Sequence, residues 1–297
     1  MQAPRTLLMP ILATMLGLGL FSIMDGVMKA ASIMVGAYAA MFWRGLAGSV
    51  IMAPLWLRSR QGWPARATMK VHILRGVVAA CMATLFFYGL VHTPLAEGIA
   101  LSFIAPLIAL YLAAVMLGEK IEAAAIAGSV LALIGVAVIG LGKFEGQIDA
   151  NAVKGLIAIL VSAVLYAWNL VLQRQQAQLA GPEEVAFFQT LVSFLFLGIG
   201  AWWWAPWPSA AAWGLIVISA AMSTVSLMLL SWAYARAEAQ VLVPLEYTAF
   251  LWAAVVGWIA FAEPVTLQTV CGVVLIVAGC LYATWRKTDA PRPELPN

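Results

Sequence analysis

The sequence predicts an all-α integral membrane protein: ten transmembrane helices arranged as two inverted five-helix repeats. Three observations predict it. The chain is 64% apolar and 10% charged with a mean hydropathy of +0.97, whereas a soluble globular chain is about half apolar and about a quarter charged. Its apolar residues gather into runs long enough to cross a bilayer, for which about 20 residues suffice. The second half of the chain repeats the first at one fixed offset of 144 residues. The apolar excess leaves too little polar surface to cover a water-soluble body. It excludes a soluble enzyme, a nucleic-acid-binding domain and a disordered segment, despite a net charge of +3 and a pI near 8.8.

The runs fall at about 7–29, 34–57, 70–91, 95–117, 121–141, 153–173, 184–205, 211–234, 238–261 and 267–285. Turn and interface signals separate them: Pro94, Gly118 to Lys120, Gly181-Pro182, Trp204 to Pro208 and Glu263-Pro264. A β-barrel would show ten-residue alternating segments instead. The first run has a positive flank at Arg5 and the look of a signal peptide, but its length and the nine runs after it make it a retained helix. Residues 1–6 read as a short N-terminal segment, 142–150 as a linker, and 286–297 as a polar, proline-containing tail.

Cations set the orientation, since cytoplasmic loops are rich in Lys and Arg. Placing the N-terminus inside gives eleven cations on the cytoplasmic side (Arg5, Arg58, Arg60, Arg66, Lys70, Lys120, Arg174, Arg236, Arg286, Lys287 and Arg292). Lys29, Lys143 and Lys154 fall outside, and Arg44 and Arg75 lie within spans. Both termini are expected in the cytoplasm, with the chain in a bacterial inner membrane.

At the 144-residue offset Glu119 meets Glu263, Gly128 meets Gly272, Leu131 meets Leu275 and Gly135 meets Gly279. Softer pairs are Asp25 with Asn169, Tyr88 with Trp232 and Phe103 with Tyr247. Each copy, 7–141 and 151–285, carries five spans, so the second enters the membrane upside down. Such repeats place a substrate site near the midplane and work by alternating access. The expectation is a secondary transporter of a small molecule.

The run Leu117 to Lys120 with Gly128 to Gly135, echoed by Phe261 to Pro264 with Gly272 to Gly279, resembles the drug/metabolite transporter superfamily, EamA type, over nearly the whole chain. The resemblance implies ten helices, a cavity among helices 1, 3, 4 and 6, 8, 9, and export of metabolites, often amino acids. One departure stands out: Pro106 of the fourth helix meets Phe250 in the second copy, where Pro244 comes earlier. The two helix breaks are therefore expected to be asymmetric.

A proline removes the helical donor to the carbonyl four residues earlier. Pro106 would free Ser102 and Pro244 would free Gln240, and such groups survive in a membrane only against protein or a wet cavity. Glu246, the repeat partner of Ser102, lies mid-helix. These half-turns read as lining the substrate site, or as packing kinks with an internally bonded carboxylate. Intramembrane charge marks function by default. Asp25 and Lys29, one turn apart, read as a local ion pair snorkelling outward; Arg44 reads as paired with Asp25 or Glu246. Glu246, Asp25 and Arg44 are the candidates for a coupling role. Arg75 and Glu97 read as structural, and Glu119 and Glu263 as helix-end markers.

Trp202 to Trp207, Trp56, Trp63 and Trp285 fit interfacial belts. Phe86, Phe87, Tyr88, Tyr166, Trp168, Trp232, Tyr234 and Tyr247 lie on helices that the resemblance assigns to the cavity, where they suit flat ligands or ammonium groups. The expected substrate set is Glu246, Ser102, Asn169, Trp168, Tyr88, Trp232, Tyr234 and Tyr247, with Trp168 and Tyr234 as the first wall. Amino acids, aromatic and large neutral ones preferred, lead; nucleosides, purines or cationic drugs are the alternative, and a non-transporting scaffold a remoter one. Protons are a candidate coupling ion. A monomer and a weak homodimer both remain open. Three scattered cysteines and two histidines suggest no disulfide framework, metal site or cofactor, and no phosphate loop points to a pump.

Overall fold

The computed structural model describes residues 5–59, 62–105, 107–108, 111–112, 123–141, 150–177, 179–234, 236, 242 and 245–285. Ten helices lie among these residues: α1 (Arg5–Val35), α2 (Ala37–Ser59), α3 (Arg66–Val91), α4 (Leu95–Ser102), α5 (Ala123–Leu141), α6 (Ala150–Ala177), α7 (Pro182–Trp204), α8 (Ala210–Tyr234), α9 (Ala249–Phe261) and α10 (Leu267–Trp285). Among the described residues, six helices are long and apolar enough to cross a bilayer alone: α1, α2, α3, α6, α7 and α8. The first helix runs past its expected end near Lys29 as far as Val35. Gly36 then turns the chain at φ +83, a left-handed conformation that only glycine adopts without steric cost.

The packing obeys a two-fold rule. Adding or subtracting 144 turns the contact of α1 with α8 into that of α6 with α3, and α2 with α8 into α7 with α3. The pairs α2·α7 and α5·α10 map onto themselves. In α5·α10 the glycines interlock. A Cβ on Gly135 would lie 2.5 Å from Gly272 O and 3.0 Å from Ile276 N; one on Gly279 would lie 2.4 Å from Gly128 O and 2.9 Å from Ala132 N. These two sets are repeat partners of each other. Residue numbers rise on one helix as they fall on the other, so the helices run antiparallel. The two-fold relating them is perpendicular to their axes, which for spanning helices means in the membrane plane.

The described residues carry one pair of matching helix breaks. Ile104 N donates to Leu101 O at 3.4 Å, and Leu107 N and Ile108 N both donate to Ile104 O at 3.1 and 3.2 Å. The repeat partners do the same: Thr248 N to Leu245 O at 2.9 Å, and Leu251 N and Trp252 N to Thr248 O at 2.9 and 3.2 Å. The two breaks are therefore symmetric, at 103–104 and 247–248. In the second copy Phe250 N turns to Tyr247 O at 3.3 Å, so a three-residue reach makes the break without a proline at that place. Pro106 and Pro244 themselves lie outside the described residues. Phe103 and Tyr247, partners by the offset, meet edge-on at 5.2 Å and 87°. The pseudo-two-fold passes between them.

Helix α9 ends with Ala262 in the left-handed region (φ 51), where its N–H bonds Trp258 O at 3.1 Å and Glu263 N bonds Gly257 O at 3.2 Å. The bond from Ala262 N to Trp258 O is that of an αL-type end, which usually places glycine at the left-handed position. The partner position in the first copy is Gly118.

Candidate substrate site

Three ionisable side chains that the sequence puts in separate spans converge beside the breaks. Asp25 lies ten residues before the end of α1 and Arg44 seven residues into α2. At 1.5 Å per residue these are depths of about 15 and about 10 Å along the helices. Arg44 is the charge that acts on Asp25, and Asp25 on Arg44. Tyr166 of α6 lies within electrostatic reach of both Glu246 and Asp25. Asp25, Arg44 and Glu246 are half-buried. These groups come from α1, α2, α6 and the turn before α9, lie within electrostatic reach of one another and keep part of their surface open, which makes them the candidate site. Lipid would make such exposure costly.

Arg44 is held, not neutralised. Its Nη2 donates to Ser223 Oγ of α8 at 3.1 Å, and Nη1 makes a weak contact with Met41 Sδ at 3.8 Å. Among the described residues the ion pairs within 4.0 Å are Lys29 with Glu263 and His72 with Glu184. Asp25 and Arg44 thus attract across a gap. A guanidinium has five donors, so N–H groups beyond the Ser223 bond remain for a ligand.

The candidate site is tied to the breaks. Tyr247 hydroxyl donates to Cys280 Sγ, and Cys280 Sγ–H donates to Phe103 O at 3.2 Å. One chain of bonds thus joins both broken segments to α10. Ser102 Oγ donates back to Gly98 O at 3.0 Å, so its hydroxyl belongs to its own helix.

Residues 7–141 and 153–285 match the EamA-like transporter family. The chain belongs to that family. It is 27% identical to the pseudopaline exporter CntI of Pseudomonas aeruginosa over 88% of this chain and 90% of that one. It is 24% identical to a riboflavin transporter of Brucella anthropi (81% and 85% covered) and 24% identical to an S-adenosylmethionine uptake transporter of Rickettsia prowazekii (95% and 94%). A solved crystal structure shares the fold at a TM-score of 0.61, with 22% identity over 94% of this chain and 99% of that one. This EamA-type protein is a multi-pass membrane transporter of small metabolites, not an enzyme.

Several expected site residues of this transporter make other contacts in the structure. Asn169 is buried, and its Oδ1 accepts from Arg75 Nε at 3.1 Å. Arg75 also donates to Gln176 Oε1, Gln176 Nε2 bonds His72 Nδ1 at 2.5 Å, and His72 Nε2 bonds Glu184 Oε1 at 3.0 Å. That order leaves Nε2–H on the histidine. The network joins α3, α6 and α7, so Asn169 is already engaged. Trp168 shares an exposed stripe with Ile157, Val161 and Val164; spacings of four, three and four residues put all four on one helix face, which faces lipid. Tyr166, two residues before Trp168, is turned about 200° round the helix from it, within electrostatic reach of Glu246 and Asp25. The stripe was legible in the sequence and would have separated the two.

Trp232 lies under the Arg236 guanidinium at 4.4 Å, and Tyr88 meets His92 edge-on at 5.0 Å; both are exposed near helix ends. The side chain of Tyr234 lies outside the described residues. Lys29 does not pair with Asp25, although the two share a helix face. It is 3% exposed and bonds Glu263 and Thr93 O, which leaves Asp25 to Arg44. Sequence reasoning missed Ser223 and Cys280. A lone serine and a lone cysteine in apolar runs carry no pattern, and only the packing gives them roles.

Proposed function

We propose that this transporter exports amino acids, aromatic and large neutral ones preferred, across the bacterial cytoplasmic membrane. The two repeats, 7–141 and 151–285, would expose the site alternately to each side, with both termini in the cytoplasm as the cation count favours. One observation carries the substrate reading: Arg44 and Asp25 lie within electrostatic reach of each other without a contact ion pair. A zwitterion would fit between them, its carboxylate on Arg44 and its ammonium on Asp25, with Glu246 as a second acceptor. Tyr166 supplies a ring for the side chain. Glu246 and Asp25 are carboxylates within the membrane-spanning part of the chain, the kind of group that carries protons there, which makes a proton the candidate coupling ion.

The names of the relatives favour a second reading, a flat heterocycle carrying its own charge. S-adenosylmethionine combines an α-amino acid with an adenine, and would use the same charges and the same ring. The experiment is competition in proteoliposomes loaded with labelled phenylalanine or tryptophan and challenged with leucine, lysine, adenosine and S-adenosylmethionine. Flux of the aromatic amino acid blocked by leucine and not by adenosine supports the proposal. No amino-acid flux, with adenosine or S-adenosylmethionine carried instead, replaces it with the second reading.

A further inference from the structure

We propose that Lys29 and Glu263 form a clasp that locks one face of the transporter and biases it toward the state closed there. The inference rests on the alternating-access reading but not on the identity of the substrate. On the face where α1 ends, Lys29 Nζ pairs with Glu263 Oε1 and donates to Thr93 O at 2.8 Å. Glu263 Oε2 accepts from Leu95 N at 2.7 Å. The Phe261 ring covers the ammonium at 4.9 Å. The clasp thus grips the α3–α4 turn from two sides, with α1 behind the cation and the end of α9 behind the carboxylate. A cleft of about 370 Å³ opens beside it, lined by Lys29, His92, Pro94 and Phe261 among others.

Two features make this grip strong. Leu95 is the first residue of α4 and Pro94 before it gives no side-chain cap. The carboxylate therefore serves the orphan N–H groups and the positive end of that helix. Lys29 is 3% exposed, so its charge-assisted bonds are poorly replaced by water. Directly beneath, Met28, Leu90 and Leu95 are fully buried in one apolar cluster that joins α1 to α3 and α4. Opening this face must pull the α3–α4 turn off both charges.

The sequence does not repeat the lock. The repeat partner of Glu263 is Glu119, which keeps the carboxylate, but the partner of Lys29 is Gln173 and that of Thr93 is Ala237. A neutral residue at the lysine's position cannot make the same charged grip, so the two faces would differ in stability, and the difference would set the resting state.

The test is accessibility of a single reporter. In a background with Cys81, Cys271 and Cys280 changed to alanine, Ser223→Cys is labelled with a membrane-impermeant thiosulfonate, added to either side of reconstituted vesicles. Lys29→Gln and Glu263→Gln should each raise labelling from the α1-end face by about tenfold, the loss of one charge-assisted bond. Unchanged labelling in folded variants overturns the clasp. Should neither variant fold, Gln173→Lys decides. It should slow labelling from the opposite face by a similar factor, and an unchanged rate there overturns the proposal equally. Labelling needs no substrate; a failure of the substrate reading appears separately, as absent amino-acid flux in the parent protein.

Discussion

Replacing Arg44 by methionine keeps the length of the side chain and removes the cation that faces Asp25. The structure sets the size of the effect. Arg44 gives Nη2 to Ser223 and little to Met41, so a substrate carboxylate takes donors that bond no described protein group strongly. A hydrogen bond to a charged group contributes about 1.5–3 kcal/mol. Its loss should raise KM for the amino acid between about tenfold and about 150-fold. Removing the cation also takes from Asp25 the charge that faces it, so the seat of the ammonium is disturbed as well. The assay is initial-rate uptake into proteoliposomes over a range of substrate concentrations, with folding checked by size-exclusion in detergent. Arg44→Lys tests the geometry, since a lysine cannot offer a planar fork, and should recover only part of the loss. A KM within twofold of the parent in folded Arg44→Met would refute the seating of the substrate carboxylate on this residue.

Ser223→Ala should raise KM by several-fold with kcat nearly unchanged, because it removes the bond that holds Arg44 and no substrate contact; kinetics on the same proteoliposomes check it. Tyr166→Ala should reduce the preference for phenylalanine over leucine, whereas Trp168→Ala should leave both rates alone; competition assays separate the two. Gly135→Ala and Gly279→Ala should lower stability equally, by about 1–3 kcal/mol, since each Cβ meets backbone within 2.5 Å. Gly214→Ala, with nothing within 4 Å, should be neutral or slightly stabilising in thermal unfolding. Ala262→Gly should raise the melting temperature by a few degrees at most, by relieving the left-handed alanine.

Much of the fold was legible because lipid enforces it. A bilayer demands long apolar runs, and the run boundaries at 66–70, 95, 123 and 267 follow the turn residues closely. The end of α1 was misplaced because Lys29 looked like an interfacial cation; it is buried instead, since Glu263 arrives from 234 residues away. The matching breaks at 103–104 and 247–248 were not legible, because a short-range backbone bond leaves no signal in the sequence. The site was legible in its charges and not in its aromatics. Asp25, Arg44 and Glu246 stand out against an apolar chain, but an aromatic on a membrane helix has two faces to choose from. Only the stripe of neighbours around Trp168 tells which face meets lipid.

The repeat also explains why the site is chemically one-sided on a two-fold scaffold. Several charges have a neutral partner 144 residues away: Asp25 with Asn169, Arg44 with Phe188, Lys29 with Gln173 and Arg75 with Ser219. The neutral members are put to structural use. Asn169 receives Arg75, Phe188 stacks on His72 at 4.8 Å, and Ser219 bonds Ile216 O at 2.8 Å. Had both copies kept an arginine at the positions of Arg44 and Phe188, the cavity would present two equivalent cations, and a zwitterion could seat in either of two opposed orientations. One arginine facing one aspartate leaves a single orientation. The shared backbone supplies the two alternating states, and the unshared side chains decide how a ligand lies between them.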